Sequence, residues 1–229
     1  MELEVIPRSD ERWAATARIV SSRFPTVGLF DRVADPADLE AAYYIESLTN
    51  PRLREEVGEI SMVAPEERIS GPGTTPIMAA FTHINPFGSR FSEGTYGVYY
   101  CARTMATAIR ETVHHRERFM RYSNEKAVTL EMRVYYSDIL TTLHDIRAFR
   151  RTMPEWYAPD DYRAPRQLGA ALRSEGSFGI VYHSVRDNEG ECAAILRPRA
   201  LSPARQGEHL GYQWDGNRIA NVTKLELSF

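Results

Sequence analysis

The sequence predicts an α+β fold with a mixed or antiparallel β core, flanking helices and an N-terminal helical extension. From residue 76 onwards, short apolar runs of strand length alternate with helical segments, but the regular strand–helix–strand repetition of a doubly wound sheet is missing. Two hairpin signals, at 187–190 and at Asp215-Gly216, favour antiparallel pairing. The 229 residues, of which 43% are hydrophobic, are enough for one packed domain.

The first helix of the extension is predicted after Ser9-Asp10, whose side chains can cap a helix start. Trp13, Ala17 and Val20 follow at intervals of four and three residues, which is the spacing of one helix face. We therefore expect the chain to begin with helical structure.

The rest of the extension carries two more helix starts. Asp35-Pro36 and Asn50-Pro51 each place a capping side chain before a proline, which suits the first turn of a helix. Gly71-Pro72-Gly73 then marks a break in the chain. We divide the chain into a helical extension at 1–70, packed on the main domain, and a main domain at 71–229.

In the first half of the main domain, two apolar runs predict strands at 77–82 and 97–102. Thr104 is placed to cap a helix that extends to about Met120. A third strand is predicted over 128–136, because apolar and polar residues alternate there.

In the second half, Asp160-Asp161 precede a predicted helix around 163–174, and Gly176 suits its left-handed C-terminal cap. Two hairpins follow. Their strands are predicted at 179–185 with 192–196, and at 211–214 with 218–227.

Composition excludes several classes of protein. A net charge of -3 argues against direct nucleic-acid binding, which needs a basic surface. The two cysteines lie in apolar runs and form no C-x-x-C pair, so a structural zinc site is not expected. No apolar run approaches the ~20 residues that span a bilayer, and no signal peptide is apparent, so we expect a cytoplasmic protein. The basic run at 147–151 is either a phosphate contact or a solvated helix face.

The common catalytic motifs are missing. The chain has neither the G-x-x-x-x-G-K-[ST] phosphate loop nor a G-x-G-x-x-G turn that opens a helix. His114-His115-Arg116-Glu117 is not H-E-x-x-H, and Ser177 does not lie in G-x-S-x-G. A metal site and a serine hydrolase are therefore not expected.

The segment Phe81–Glu111 concentrates side chains that suit one kind of ligand. It contains a Gly-rich turn with Arg90, a tyrosine-rich strand and a helix that carries Glu111. A guanidinium pairs with phosphate oxygens, an aromatic ring stacks on a flat ring, and a carboxylate stabilises developing positive charge. A nicotinamide dinucleotide offers all three features.

Each candidate also has a purely structural interpretation. Arg90 can be a surface residue of a turn, and Glu111 can reach solvent or pair with a neighbour on its helix. The same holds for three side chains that can be core or strand-end residues: Tyr100, His83 and Ser184. The alternation of a strand does not decide which of its tyrosines would stack on nicotinamide.

Together these residues resemble the pattern of the RES-domain toxins, a family named for an arginine, a glutamate and a serine. The chain supplies Gly88-Ser89-Arg90-Phe91-Ser92, then Gly94, Tyr100-Cys101-Ala102 and Ala108-Ile109-Arg110-Glu111. Further on, Gly179–Asp187 resembles the serine strand of the family. The resemblance covers about residues 76–200.

The resemblance implies a fold similar to ADP-ribosyltransferases, with NAD as co-substrate and no metal. It implies catalytic roles for Glu111, Arg90 and Ser184, and NAD contacts from Arg90, Tyr100 and Ser184. Many members carry a further arginine on the strand before the turn. Here that place is Phe81-Thr82-His83, and Thr82 and His83 are expected to contact NAD instead.

The resemblance also implies a toxin that is neutralised by a helix-turn-helix antitoxin of the Xre type. Members cleave the nicotinamide–ribose bond and either transfer ADP-ribose or break NAD down by hydrolysis or phosphorolysis. We expect transfer to a host protein, because the N-terminal helices offer a docking surface. The alternatives are an NAD glycohydrolase or phosphorylase and, in another class, a non-catalytic partner-binding module. No membrane partner is expected.

Overall fold

The computed structural model of the chain describes residues 6–22, 31 and 58–225. These residues form seven strands: Arg8–Ser21 (β1), Tyr99–Ala102 (β2), Val128–Asp145 (β3), Gly179–His183 (β4), Glu191–Ile195 (β5), Arg205–Trp214 (β6) and Ile219–Leu225 (β7). They also form three α-helices: Thr75–Thr82 (α1), Met105–Tyr122 (α2) and Arg163–Ser174 (α3). Short 3-10 helices cover Ile60–Met62, Pro65–Glu67, Arg147–Arg150, Pro154–Tyr157 and Pro198–Ala200.

The strands form one mixed sheet in the order β1-β2-β5-β4-β3-β6-β7. All pairs are antiparallel except β3 with β4, which run parallel through His144↔Ile180 and Asp145↔Val181. Because β1 also pairs with β3, the strands β1, β2, β5, β4 and β3 are linked in a closed ring. The predicted α+β class with a mixed core is confirmed.

The helix predicted after Ser9-Asp10 is wrong, because Arg8–Ser21 is a strand that pairs with β3 along most of its length. A β-bulge explains the error. The register shifts between Trp13 and Thr16, and Ala15 adopts a positive φ of 53°. Alternation is therefore interrupted, and the apolar residues on either side of the bulge fall at helical spacing. The two other predicted helix starts, near 35 and 50, lie outside the described residues, and the division near residue 70 stays a prediction.

The strand predicted over 77–82 is also wrong, since these residues belong to α1. Pro76 lies in the first turn, where its missing N–H costs nothing. Ile77, Met78 and Phe81 are buried and pack into one cluster, as expected of a short buried helix. An apolar run of this length fits either a strand or a buried helix, so its periodicity does not distinguish them.

The other predicted elements of the main domain are confirmed. Thr104 caps α2 by accepting the N–H of Thr107 at 3.2 Å. α3 covers the predicted residues, and Gly176 follows it with φ +80°. β2 lies in the predicted run, and both hairpins pair as predicted. β3 extends beyond its predicted end because its second half pairs with β1.

The sheet is buried on both faces by two hydrophobic clusters. In β5, Cys192 and Ala194 join the cluster that contains residues of α2 and α3, whereas Ala193 and Ile195 join the cluster that contains α1. Cys101 and Cys192 are free and buried, as their apolar runs predict.

The register of three neighbouring strands positions the candidate site. Cys192, at the start of β5, pairs with Ala102 on one side and with Tyr182 on the other. The end of β2, which leads into α2, therefore lies beside the end of β4, which leads into the β4–β5 loop. Residues of α2 and of that loop meet at this edge of the sheet.

Candidate active site

A cavity of about 960 Å³ opens at this edge of the sheet, and we call it the main cavity. Its described lining includes three carboxylates, Glu111, Asp160 and Asp161. It also includes seven arginines: Arg18, Arg90, Arg116, Arg118, Arg163, Arg166 and Arg186. The excess of positive charge suits an anionic ligand, although the whole chain carries a net charge of -3.

The Gly-rich turn that carries Arg90 is held rigidly. Ser89 donates its N–H to the carbonyl of Ser92 at 2.7 Å, and the Tyr100 hydroxyl accepts the N–H of Phe91 at 2.9 Å. Gly88 has φ +75°, and a Cβ there would lie 2.4 Å from the Ser92 carbonyl oxygen. The turn therefore needs glycine at this position and presents Arg90 in a fixed orientation.

Arg90 is only 8% exposed, yet part of its guanidinium is uncommitted. Its Nη1 donates to the carbonyls of Trp156 at 3.3 Å and Ala158 at 3.0 Å, and the group lies 4.7 Å from the centre of the Tyr162 ring. Within the described residues, no hydrogen bond uses its Nε or Nη2. That edge can donate to a ligand in the main cavity.

Glu111 and Ser184 are joined by a hydrogen bond. Ser184 is fully buried, and its Oγ accepts the N–H groups of Arg186 at 3.0 Å and Asp187 at 2.9 Å. The hydroxyl donates its single proton to Oε1 of Glu111 at 2.5 Å. Because both of its lone pairs are used, Ser184 can only act as a donor to Glu111, and it fixes the carboxylate at the wall of the main cavity.

The same face of α2 is bound to the β4–β5 loop at two further points. Thr107 donates its hydroxyl proton to Asp187 at 2.8 Å, and Arg110 forms an ion pair with the same carboxylate. Gly190 packs so closely that a Cβ there would lie 2.5 Å from Thr107. The loop and the helix therefore hold Glu111 as one rigid unit.

Tyr100 lines the main cavity with its ring, while its hydroxyl belongs to the turn. The hydroxyl contacts Ser89 at 2.8 Å in addition to the N–H of Phe91. Burial raises the pKa of Tyr100 to about 12, against the opposing effect of these hydrogen bonds. The phenol is therefore neutral at physiological pH, and its flat face is what it offers to a ligand.

Thr82 and His83 lie apart from the other predicted site residues. Neither lines the main cavity. His83 lines an adjoining cavity of about 350 Å³, which shares Arg18, Ser89 and Tyr100 with the main one. The Thr82 hydroxyl is buried and donates to the carbonyl of Met78 at 3.2 Å. The structure thus brings together four of the predicted residues at the main cavity: Arg90, Tyr100, Glu111 and Ser184. His83 lines the adjoining cavity, and Thr82 lies in α1 without reaching the main cavity.

Arg18 is a cavity residue that the sequence did not reveal. It reaches from β1 between the two cavities, donates from Nη1 to the carbonyl of Tyr100 at 3.1 Å, and lies 4.6 Å from the centre of the Tyr99 ring. Burial lowers its pKa, and its Nε is buried without a partner among the described residues. Because the bulge in β1 interrupts the alternation of apolar and polar residues, the sequence did not predict this strand, and Arg18 was not recognised as a cavity residue.

His115 also lines the main cavity, although it was not among the predicted site residues. It follows Glu111 by four residues on α2, so the predicted helix already placed both on one face.

The described residues contain no group of three or more histidine, cysteine, aspartate or glutamate side chains that could hold a metal ion. None of the helices described is long and apolar enough to cross a membrane.

The chain is similar to several known proteins. An uncharacterized protein of Sinorhizobium fredii (strain NBRC 101917 / NGR234), y4oC, is 29% identical over 205 residues, which covers 89% of this chain and 84% of the relative. A chain in the crystal structure of the M. tuberculosis MbcT-MbcA toxin-antitoxin complex is 10% identical to this chain, and the match covers 88% of this chain and 86% of the matched chain. Its TM-score of 0.47 is too low to support a functional conclusion.

The model of the RES domain matches residues 65–215, which is more than half of the chain and includes α2, the Gly-rich turn and the β4–β5 loop. The chain therefore belongs to the RES domain family.

Proposed function

We propose that this protein cleaves the nicotinamide–ribose bond of NAD and transfers ADP-ribose to an acceptor, which we take to be a host protein. We further propose that it is the toxin of a toxin–antitoxin pair. The main support is that Arg90 and Glu111 line the same cavity, with the Glu111 carboxylate fixed by Ser184 at 2.5 Å. Two residues on opposite sides of the molecule could not act on one substrate.

The charges of the main cavity suit the diphosphate of NAD. The uncommitted edge of Arg90 can donate to phosphate oxygens or to the ribose. Arg18 lies beside the same tyrosine, since it donates to the carbonyl of Tyr100. Many members of the family carry a further arginine on the strand before the turn. In this chain β1 provides one, so Arg18 is a better candidate for that role than Thr82 or His83.

Glu111 suits the chemical step. As the bond from ribose to nicotinamide stretches, positive charge develops on the sugar, and a fixed carboxylate stabilises it. Its second oxygen can accept a hydrogen bond from the ribose 2′-hydroxyl. Nicotinamide leaves as a neutral ring, so no acid is required to protonate it. The ring of Tyr100, which lines the same cavity, offers a stacking surface.

The toxin assignment and its partner rest on family membership. RES-domain toxins are neutralised by helix-turn-helix antitoxins of the Xre type, and we propose such a partner for this chain. Expression in a bacterial host without the partner should arrest growth, and co-expression with the antitoxin should restore it.

The test of the enzymatic proposal uses NAD labelled in its adenosine half. The purified chain is incubated with this NAD and host lysate, and nicotinamide release is measured together with labelled protein bands. Transfer predicts released nicotinamide and label on protein. Hydrolysis or phosphorolysis predicts released nicotinamide with the label only in small molecules. NAD that stays intact in the presence of lysate would contradict the proposal.

A non-catalytic partner-binding module is the second candidate. It is favoured by three large side chains at the mouth of the main cavity, Phe87, Phe119 and Tyr122, which are 86%, 54% and 92% exposed. This function predicts intact NAD and a Glu111→Gln variant that binds its partner as tightly as the wild type does.

A further inference from the structure

His115 lines the main cavity one helical turn after Glu111. Side chains four residues apart on a helix lie on one face, with their Cβ atoms about 5–6 Å apart. The His115 ring packs edge-on against His114, at 5.4 Å between ring centres, but forms no hydrogen bond with any described residue. Its nitrogens are therefore available to a ligand in the cavity.

The surroundings of His115 are cationic. Arg90 faces it from the Gly-rich turn, Arg186 from the β4–β5 loop, and Arg118 and His114 from its own helix, which also carries Glu111. Desolvation of the ring at the cavity wall, and then these positive groups, lower the pKa of His115 to about 4, although the residue is exposed. At neutral pH the imidazole is uncharged and keeps one nitrogen that can accept a proton, whereas arginines can only donate.

The carboxylates and thiols in the described lining are less suited to this role. Oε1 of Glu111 already accepts the Ser184 proton, and its negative charge is needed beside the sugar. Asp160 pairs with Arg186 at 3.4 Å, and Asp161 with Arg163 at 2.5 Å. Burial raises the pKa of the Cys101 thiol to about 11, and that of Cys192 also rises. His115 is the uncommitted proton acceptor among these groups.

We infer that His115 is the general base that removes the proton from the acceptor during transfer of ADP-ribose, an inference that rests on the proposed function. The acceptor lone pair forms a bond to C1′ of the ribose. The bond from C1′ to nicotinamide breaks, and its electron pair goes to the ring nitrogen, which becomes neutral. The acceptor proton moves to the free nitrogen of His115 and then to solvent.

Substrate binding strengthens this base. The diphosphate of NAD carries negative charge, and its arrival next to Arg90 and Arg186 offsets their effect on the imidazole. The pKa of His115 therefore rises when the anion binds. The base becomes effective only when the substrate is present, and it removes the acceptor proton as the acceptor attacks the sugar.

Nucleophiles with and without a proton test this role directly. Nicotinamide release and ADP-ribosyl products are measured by chromatography and mass spectrometry with methanol or azide as acceptor, for the wild type, His115→Gln and His114→Gln. Methanol must lose a proton, so His115→Gln should be about 100-fold slower than wild type. Azide has no proton to lose, so the same variant should form ADP-ribosyl azide at close to the wild-type rate. His114→Gln should resemble the wild type with both acceptors.

The outcomes separate the inference from the function on which it rests. A wild-type chain that leaves NAD intact contradicts both. A wild type that cleaves NAD, with His115→Gln equally fast in methanol, overturns the inference alone. A defect that is equal with methanol and with azide overturns it as well, because it assigns His115 to substrate positioning.

A measurement on the wild type does not depend on folding of the variant. The imidazole of His115 is titrated by NMR with and without ADP-ribose, which carries the diphosphate but no nicotinamide. The pKa of His115 should rise by about 1 to 3 on binding, whereas the pKa of His144, which burial lowers and which lies outside the main cavity, should not change. A His115 pKa that stays the same when ADP-ribose binds overturns the inference.

Discussion

Two groups of arginines and carboxylates in this protein are built in opposite ways. Arg147 contacts three carboxylates, from Glu11, Asp145 and Glu191, at 2.6–2.7 Å. In the main cavity the arginines outnumber the carboxylates, and Arg90 donates to backbone carbonyls, which do not cancel its charge. The positive charge of Arg147 is neutralised within the protein, and its contacts bind β1, β3 and β5 together. The second group has unmatched positive charge that a bound anion can neutralise.

This difference also bears on the basic run at 147–151, because Arg147 belongs to the neutralised group and is not a phosphate contact. Its first arginine was a candidate phosphate contact in the sequence, but three carboxylates surround it in the structure, and the hydrogen bonds that it donates to Asp145 raise its pKa. A phosphate would have to displace those carboxylates. We therefore expect substitutions in the two groups to have separate effects, on activity in the main cavity and on stability around Arg147.

Glu111→Gln should have the most severe effect on activity. The amide can still accept the Ser184 proton, so the fold should persist, but it cannot balance the charge that develops on the ribose. Nicotinamide release should fall about 1000-fold. Glu117→Gln on the same helix is the matched control, because Glu117 lies outside the main cavity and pairs with Arg121 at 2.7 Å. Equal rates for the two variants would remove Glu111 from the mechanism.

Arg90→Lys should weaken NAD binding while the charge is kept. A lysine cannot bridge the carbonyls of Trp156 and Ala158 and still present a planar edge to phosphate. The KM for NAD should rise about 10- to 100-fold, which corresponds to the loss of one charged hydrogen bond. Arg147→Lys should leave that KM unchanged. If both variants raise KM alike, the contrast between the two groups is wrong.

The arginine, tyrosine and glutamate of the site could be identified because they lie in one continuous segment, Phe81–Glu111. The turn, strand and helix that carry them are local features with clear signals, such as the capping Thr104. The role of Ser184 was less accessible, because it depends on a loop whose N–H groups occupy the serine oxygen. Only the register of β2, β5 and β4 shows that this loop meets α2.

The errors have two physical causes. An apolar run of six residues does not distinguish a strand from a buried helix, and 77–82 was assigned to the wrong one. In β1 the bulge at Ala15 removed the alternation on which strand prediction relies. That second error hid Arg18, which contacts Tyr100 across 82 positions of the chain. Contacts of such separation arise from tertiary pairing and have no local signal.

Arg147→Met should destabilise the protein without changing NAD cleavage at saturating substrate. Three carboxylates would lose their shared partner, and Glu11 is only 6% exposed. We expect a loss of about 2 kcal/mol in the free energy of unfolding, less than for a fully buried pair because Arg147 itself is partly exposed. Urea denaturation measures this change. Arg205→Met, which removes an exposed pair with Asp138, is the control and should have little effect.

The same cluster should make stability depend on pH. Burial opposes the ionisation of Asp145 and Glu191 and by itself would raise the pKa of each carboxyl. Hydrogen bonds donated by Arg147 to both carboxylates, and by Arg103 to Glu191, outweigh this effect. The pKa of each carboxyl therefore lies below its ordinary value, which is 3.8 for Asp145 and 4.5 for Glu191. A lowered folded-state pKa means that the stabilisation is complete above about pH 4.5 and is lost as the pH falls through the folded-state values. The urea midpoint of the wild type should therefore fall below pH 4.5, and that of Arg147→Met should fall less steeply. Parallel pH profiles for the two proteins would show that the acid sensitivity arises elsewhere in the chain.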